Sequence, residues 1–164
     1  PWLGGGMMIQ EVTLDRFMPA DIPQKFEGGT PPIAQTVGLG AAIDWLSQFA
    51  WKDIEEHESA LIQKAVEVLS TIDGLTILGT TELPTSSGPL SFTLKNIHPH
   101  DLTDILGQRD ICLRAGHHCA QPLHKRLGIT ASTRLSVGIY NTMAEIELLP
   151  KAIEEIKKIF HHTP

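Results

Sequence analysis

The spacing of apolar residues changes twice along this chain, and each change predicts a change of structure. Residues 1 to 35 are irregular and rich in glycine and proline, and only Met7 to Leu14 alternates well enough for a strand. From Pro31 and Pro32 a helical period takes over, with Leu39, Ala42, Ile43, Leu46 and Phe49 marking a helix that links two regions. A second, clearly amphipathic helix is predicted from Asp53, a capping residue with Glu56 in the third position, through Leu61, Ala65, Val68 and Leu69 to a stop at Asp73-Gly74. Beyond Gly74 the period shortens to two. Leu75 to Leu78 and Pro89 to Leu94 read as strands, the latter with Leu90, Phe92 and Leu94 on one face. A short helix from Pro99 to Gly107 leads to a strand at Ile111 to Arg114, and Arg134 to Ile139 is read as another. Thr142 and Glu145 make a capping box for a last helix ending at Phe160. Pro150 inside it predicts a kink or two shorter pieces. Residues 52–164 are therefore expected to form an α+β domain, a small sheet with helices packed on it, and residues 1–51 an extended and linking segment.

Composition narrows the picture. A chain of 164 residues, 41% hydrophobic and 20% charged, is long enough to bury a core of its own. A net charge of −6 argues against nucleic acid or an anionic membrane as the main partner, since both demand a basic surface. No apolar run approaches the roughly 20 residues of a membrane span, and the two cysteines fit a reducing, cytoplasmic compartment. Pro1-Trp2-Leu3 followed by Gly4-Gly5-Gly6 starts neither helix nor strand, so the chain reads as the continuation of something longer.

The densest chemistry lies between Arg114 and His124, where Cys119 is preceded by His117 and His118. Cysteine reacts as a thiolate, and nearby cations or hydrogen-bond donors favour that form, so Arg114 and the two histidines suit a reactive thiol. Gly116 permits backbone angles denied to other residues, and Pro122 is read as closing the segment, so the thiol is presented on a loop. Three plainer readings stand beside this one. Cys119 is a small buried hydrophobe; or His117, His118, Cys119 and His124 bind zinc; or Cys119 pairs with Cys112, although Cys112, between Ile111 and Leu113, looks like a core residue.

Gly4-Gly5-Gly6 to Ile9, Phe26-Glu27-Gly28-Gly29-Thr30-Pro31, and Arg114 to Leu123 with Arg134 following together resemble the carboxyl-terminal part of the SUF-type (group II) cysteine desulfurases, also called selenocysteine lyase-like enzymes. The resemblance implies the small carboxyl-terminal domain of a pyridoxal phosphate fold type I, aspartate aminotransferase-like enzyme. It implies that residues 1–51 are the tail of a larger cofactor domain and that residues 52–164 carry the nucleophile loop. It further implies that Cys119 accepts sulfur from L-cysteine, leaving L-alanine and a persulfide, and that Arg134 binds the substrate carboxylate; Arg114 is placed close to Cys119, as a substrate-binding residue with an orienting role. Thr30, with Gly29, would reach the phosphate of pyridoxal phosphate bound by the other subunit of a homodimer, and the persulfide would pass to a sulfur-acceptor protein for iron–sulfur cluster assembly. His117 and His118 are left to tune the thiol or move protons, without a division of labour.

The resemblance also shows what is missing. The family holds its cofactor through a lysine in a Ser-x-His-Lys segment, and this chain has none; its one His-Lys pair, His124-Lys125, follows Leu123 and does not match. The chain is thus expected to be the distal portion of a longer enzyme and inactive alone. The alternatives are a selenocysteine lyase, a cofactor-free sulfur-relay or interaction module built on Cys119, and a zinc-binding domain.

Overall fold

The computed structural model describes residues 1–79 and 88–161. The chain divides into two compact units, Pro1–Phe49 and Ala50–Pro164.

In the first unit, β1 (Ile9–Val12) and β2 (Phe17–Pro19) form an antiparallel hairpin with a bulge between Ile9 and Glu11. The Thr13 N–H and hydroxyl both donate to the carbonyl of Arg16, at 2.8 and 3.1 Å, and close its turn. A single 3₁₀ turn, Gln24–Phe26, leads through Gly28 and Gly29 to α1 (Ile33–Leu46). The helix predicted after Pro32 is present but stops short of Phe49, and it buries no residue. Ile33, Val37, Leu39, Ile43 and Trp45 are all exposed around it. A helix that is apolar on every side belongs to a protein interior.

The second unit has a core. Its sheet runs β3 (Leu75–Leu78), β4 (Leu90–Leu94), β6 (Ser132–Leu135), β5 (Arg114–Gly116), every pair antiparallel. Alternation puts Leu90, Phe92 and Leu94 on one face, where all three are buried as their spacing predicts. Against them pack Leu61, Ile62, Ala65 and Leu69 of α2 (Trp51–Leu69), Leu102 and Leu106 of α3 (Pro99–Gly107), and Ile146, Leu149, Ile153 and Ile156 of α5 (Met143–His161). Helices on one face of an antiparallel sheet give the expected α+β architecture.

Several boundaries differ from the sequence expectation, each for a local reason. The α2 helix starts at Trp51, and the N–H of Asp53 donates to the carbonyl of Ala50, so Asp53 sits in the first turn and caps nothing. The Ile111 N–H donates to Leu106 O at 3.1 Å, tying that residue to the end of α3; the ladder begins only at Arg114. On β6 the ladder runs from Ser132 to Leu135, because a turn in which Gly138 N–H donates to Asn141 Oδ1 and Asn141 N–H to Gly138 O ends the extended run. Pro122 starts a helix, α4 (Gln121–Leu127), instead of merely ending a loop, since a first-turn residue needs no amide hydrogen; Gly128, at φ +70°, stops it. Pro150 does not divide α5, which is continuous. Buried residues on both sides of it, Ile146 and Leu149 before and Ala152, Ile153 and Ile156 after, hold the helix against the roughly 3 kcal/mol the proline costs. The predicted capping box is made: Thr142 N–H donates to Glu145 Oε2 at 2.7 Å and Glu145 N–H to Thr142 Oγ1 at 3.4 Å.

Candidate functional site

The site is built on the sheet face turned away from the helices. On β6, Thr133 and Leu135 point to the helical side, so Ser132 and Arg134 point to the other. Register sets Arg134 opposite Ser91 on β4 and opposite Arg114 on β5. The two arginines are thus cross-strand neighbours, and neither has a salt-bridge partner among the described residues. Like charges directly opposite on neighbouring strands repel. The Nε of Arg134 is moreover buried without an acceptor, which costs about 1–3 kcal/mol. An anion with two oxygens would relieve both penalties, and a carboxylate is the simplest such group.

From Gly116 at the end of β5, the chain enters a loop of positive φ: Gly116 at +128°, His118 at +51° and Cys119 at +60°. Only the first is conformationally free; the other two cost about 1–2 kcal/mol each, so the surrounding contacts must hold them there. Cys119 is exposed and free, so it is no buried hydrophobe. Ala120 N–H donates to His117 O at 2.8 Å and closes the turn. Cys112 is exposed as well, which corrects its reading as a core residue: Ile111 and Leu113 pack towards the core, and the residue between them necessarily points out. The two thiols form no disulfide.

Three of the loop's histidines differ in environment. His117 is exposed, its ring edge-on to His124 at 5.6 Å. His124, on α4, is buried; its Nδ1 lies 3.0 Å from Ala120 O and its Nε2 2.9 Å from Ser132 Oγ. A carbonyl only accepts, so Nδ1 carries the hydrogen and Nε2 accepts from the Ser132 hydroxyl. His118 is half-buried with Nε2 3.1 Å from the carbonyl of Ser132, while its Nδ1 is buried and unpartnered. Burial holds His118 below the usual imidazole range; the Ser132 carbonyl pulls it up, and the charges of Arg134 and Arg114 push it further down. Arg134 and Arg114 therefore act electrostatically on the residue adjoining Cys119.

Sequence reasoning named Cys119, Arg134 and Arg114, and β5, β6 and the loop between them carry all three. It missed Ser132, fully buried at the centre of the histidine contacts, and it gave His124 no role but metal ligation. Pro122 was the available signal: a proline at a helix start predicts α4 and so places His124 on a helix. Among the described residues no three histidine, cysteine, aspartate or glutamate side chains group as a metal site would. A hollow of about 570 Å³ beside the loop, lined by His117, Pro122, His124, Lys125 and Ile129, includes neither Cys119 nor Arg134.

Gly29 and Thr30 lie in the first unit. Gly29 has φ +92° and open space where a side chain would stand, and its N–H is already donated to Gly6 O at 2.8 Å. A Cβ on Gly5 would come within 3.2 Å of Gly29 N, so a side chain at Gly5 would crowd the turn. Thr30 is exposed, and its hydroxyl has no hydrogen-bond partner among the described residues. The turn can therefore offer a phosphate the Thr30 hydroxyl, though not the Gly29 amide. Lys125 is exposed on α4, an ordinary surface lysine.

The family model of the class-V aminotransferases matches residues 1–149. A probable cysteine desulfurase of Streptomyces coelicolor is 46% identical over 160 residues, 98% of this chain and 38% of that protein. A cysteine desulfurase of Haloferax volcanii is 42% identical over 98% of this chain and 37% of its own length. Among solved structures, the cysteine desulfurase CsdA (S-sulfonic acid) of Escherichia coli superposes with a TM-score of 0.85 at 35% identity, over 97% of this chain and 39% of that one. The apo cysteine desulfurase of Thermococcus onnurineus gives 0.84 at 36%, over 96% and 39%. The chain spans less than two fifths of the length of these relatives.

Proposed function

This chain belongs to the class-V aminotransferase family, and from that premise we propose that it is the carboxyl-terminal portion of a pyridoxal phosphate-dependent cysteine desulfurase of the SUF type. Residues 1–51 end the larger cofactor domain, and residues 52–164 are the small domain that carries the nucleophile. One observation bears most of the weight: the exposed thiol of Cys119 stands on a loop bonded through His118 to the strand that carries Arg134, beside an unneutralised pair of arginines.

Arg134, assisted by Arg114, holds the substrate carboxylate and so fixes the direction of the amino acid. The Cys119 thiolate attacks the substrate sulfur; the new S–S bond forms as the substrate C–S bond breaks, leaving alanine and a persulfide on Cys119. When bound, pyridoxal phosphate supplies the electron sink that loosens bonds at the substrate Cα. The Thr30 hydroxyl, with Gly29 shaping the turn, would hold its phosphate from the second subunit of a homodimer. The lysine that holds the cofactor lies outside this chain. Because the loop is exposed, an acceptor protein can take the persulfide sulfur for iron–sulfur cluster assembly in the cytoplasm. L-Selenocysteine presents the same carboxylate to Arg134, so a selenocysteine lyase is the alternative reading.

In the longer polypeptide, Cys119→Ser abolishes the persulfide and the release of alanine while the cofactor absorbance stays. Turnover surviving that substitution would remove Cys119 from the mechanism.

A further inference from the structure

His117 and His118 are equivalent in the sequence, and the fold separates them. His117 is exposed, and its ring has no hydrogen bond among the described residues. His118 reaches across to β6. Because the Ser132 carbonyl can only accept, His118 must donate from Nε2, which leaves Nδ1 as the bare lone pair. A second proton would have to sit on that buried, unpartnered Nδ1 beside Arg134, Arg114 and His124. The geometry thus selects the Nε2–H tautomer of the neutral ring.

The bond is half of a closed circuit. His118 Nε2–H donates to Ser132 O, the Ser132 hydroxyl donates to His124 Nε2, and His124 Nδ1–H donates to Ala120 O. His118 and Ala120 are the two neighbours of Cys119 in the chain. Ser132, with no exposed surface, and His124, almost fully buried, are fixed points. Between these ties lie the two left-handed residues that the backbone does not adopt unaided.

We propose that His118 is a positioning residue: through the hydrogen it donates to the Ser132 carbonyl, the loop is clamped to β6 and Cys119 is held in the left-handed conformation that displays its thiol. Its contribution is that donor, not a base. The inference rests on Cys119 being the reacting group of this site, but it is read without turnover.

The test compares three variants of the 164-residue chain. In His118→Gln the amide nitrogen stands near the place of Nε2, so the donor remains and the lone pair goes; His118→Asn is too short to reach Ser132, and His118→Ala has neither. Hydrogen exchange of the Ala120 amide reports the turn, and alkylation of Cys119 against Cys112 reports display of the thiol, with Cys112 as the internal control. A lost hydrogen bond of this kind is worth roughly 3- to 10-fold. Exchange at Ala120 is expected to accelerate by that factor in His118→Asn and His118→Ala, with a changed Cys119-to-Cys112 ratio, and to stay within about twofold of wild type in His118→Gln. Ring nitrogen NMR of the wild type is expected to show the Nε2–H tautomer. If His118→Gln behaves like His118→Ala, or if all three match the wild type, the proposal is overturned. Should the shorter variants unfold, loss of the cooperative thermal transition would report it, and His118→Gln against wild type then decides by the same criterion. A wrong desulfurase reading would instead show as turnover surviving Cys119→Ser.

Discussion

Arg134 shows how much a single position inherits from its neighbours. Its charge was legible in the sequence, but only register puts Arg114 directly across from it. Two facing cations and a buried Nε without an acceptor make an anion the natural occupant. In the longer polypeptide Arg134→Lys keeps the charge and loses the fork, so KM for L-cysteine is expected to rise roughly 10- to 100-fold, with kcat less affected. Steady-state kinetics checks this, and an unchanged KM would mean that the carboxylate is bound elsewhere. The exposure of Cys119 could be expected from what surrounds it in sequence, because Arg114, Gly116 and His118 are all within a few residues. Cys112 could not be read in that way. The apolar run Ile111-Cys112-Leu113 looks buried throughout, and a period of two turns its middle residue outward.

At the scale of the element, the accurate expectations were those decided within a few residues. The alternation at Leu90, Phe92 and Leu94 marked β4, and Thr142 with Glu145 marked the start of α5. Glu145 is held below the usual carboxylate range first by the Thr142 N–H and then by Asn141 Nδ2, which donates to it at 3.2 Å. A carboxylate depressed in the folded state adds stability above its unfolded pKa, and that stability is lost as pH falls through the folded value. Glu145→Gln is therefore expected to lower the thermal midpoint at pH 7, with the difference from wild type fading as the pH drops below the ordinary carboxylate range. Thermal melts at a series of pH values test it, and a difference that persists undiminished in acid would discount the charge. The inaccurate expectations depended on distant partners: β5 begins where Arg134 pairs it, and α5 passes Pro150 because packing on both sides holds it. In α4 the error was local, a first-turn proline taken as a terminator.

For the molecule as a whole, the two units differ in self-sufficiency. Ala50–Pro164 contains a continuous core from three helices and a sheet, whereas Pro1–Phe49 has one buried apolar side chain, Met8, and a helix exposed on every side. Such a helix would be covered by the additional polypeptide that the relatives possess. The 164-residue chain alone is thus expected to show a cooperative unfolding transition belonging to the second unit, yet to remain colourless with pyridoxal phosphate and release no alanine from cysteine. A yellow, active preparation of this chain would contradict the proposal that it is part of a longer enzyme. The proposed chemistry could be read from the sequence because its candidate residues are contiguous: Cys119, its flanking histidines and Arg114 are covalent near-neighbours, and the periods of two and 3.6 that announce strands and helices are local too. Only tertiary structure decided which histidine is tied down, why Ser132 matters and that two arginines face each other. Those facts arise from the antiparallel pairing of β5 with β6, which brings together residues far apart along the chain, and no local pattern encodes which register long-range packing will select.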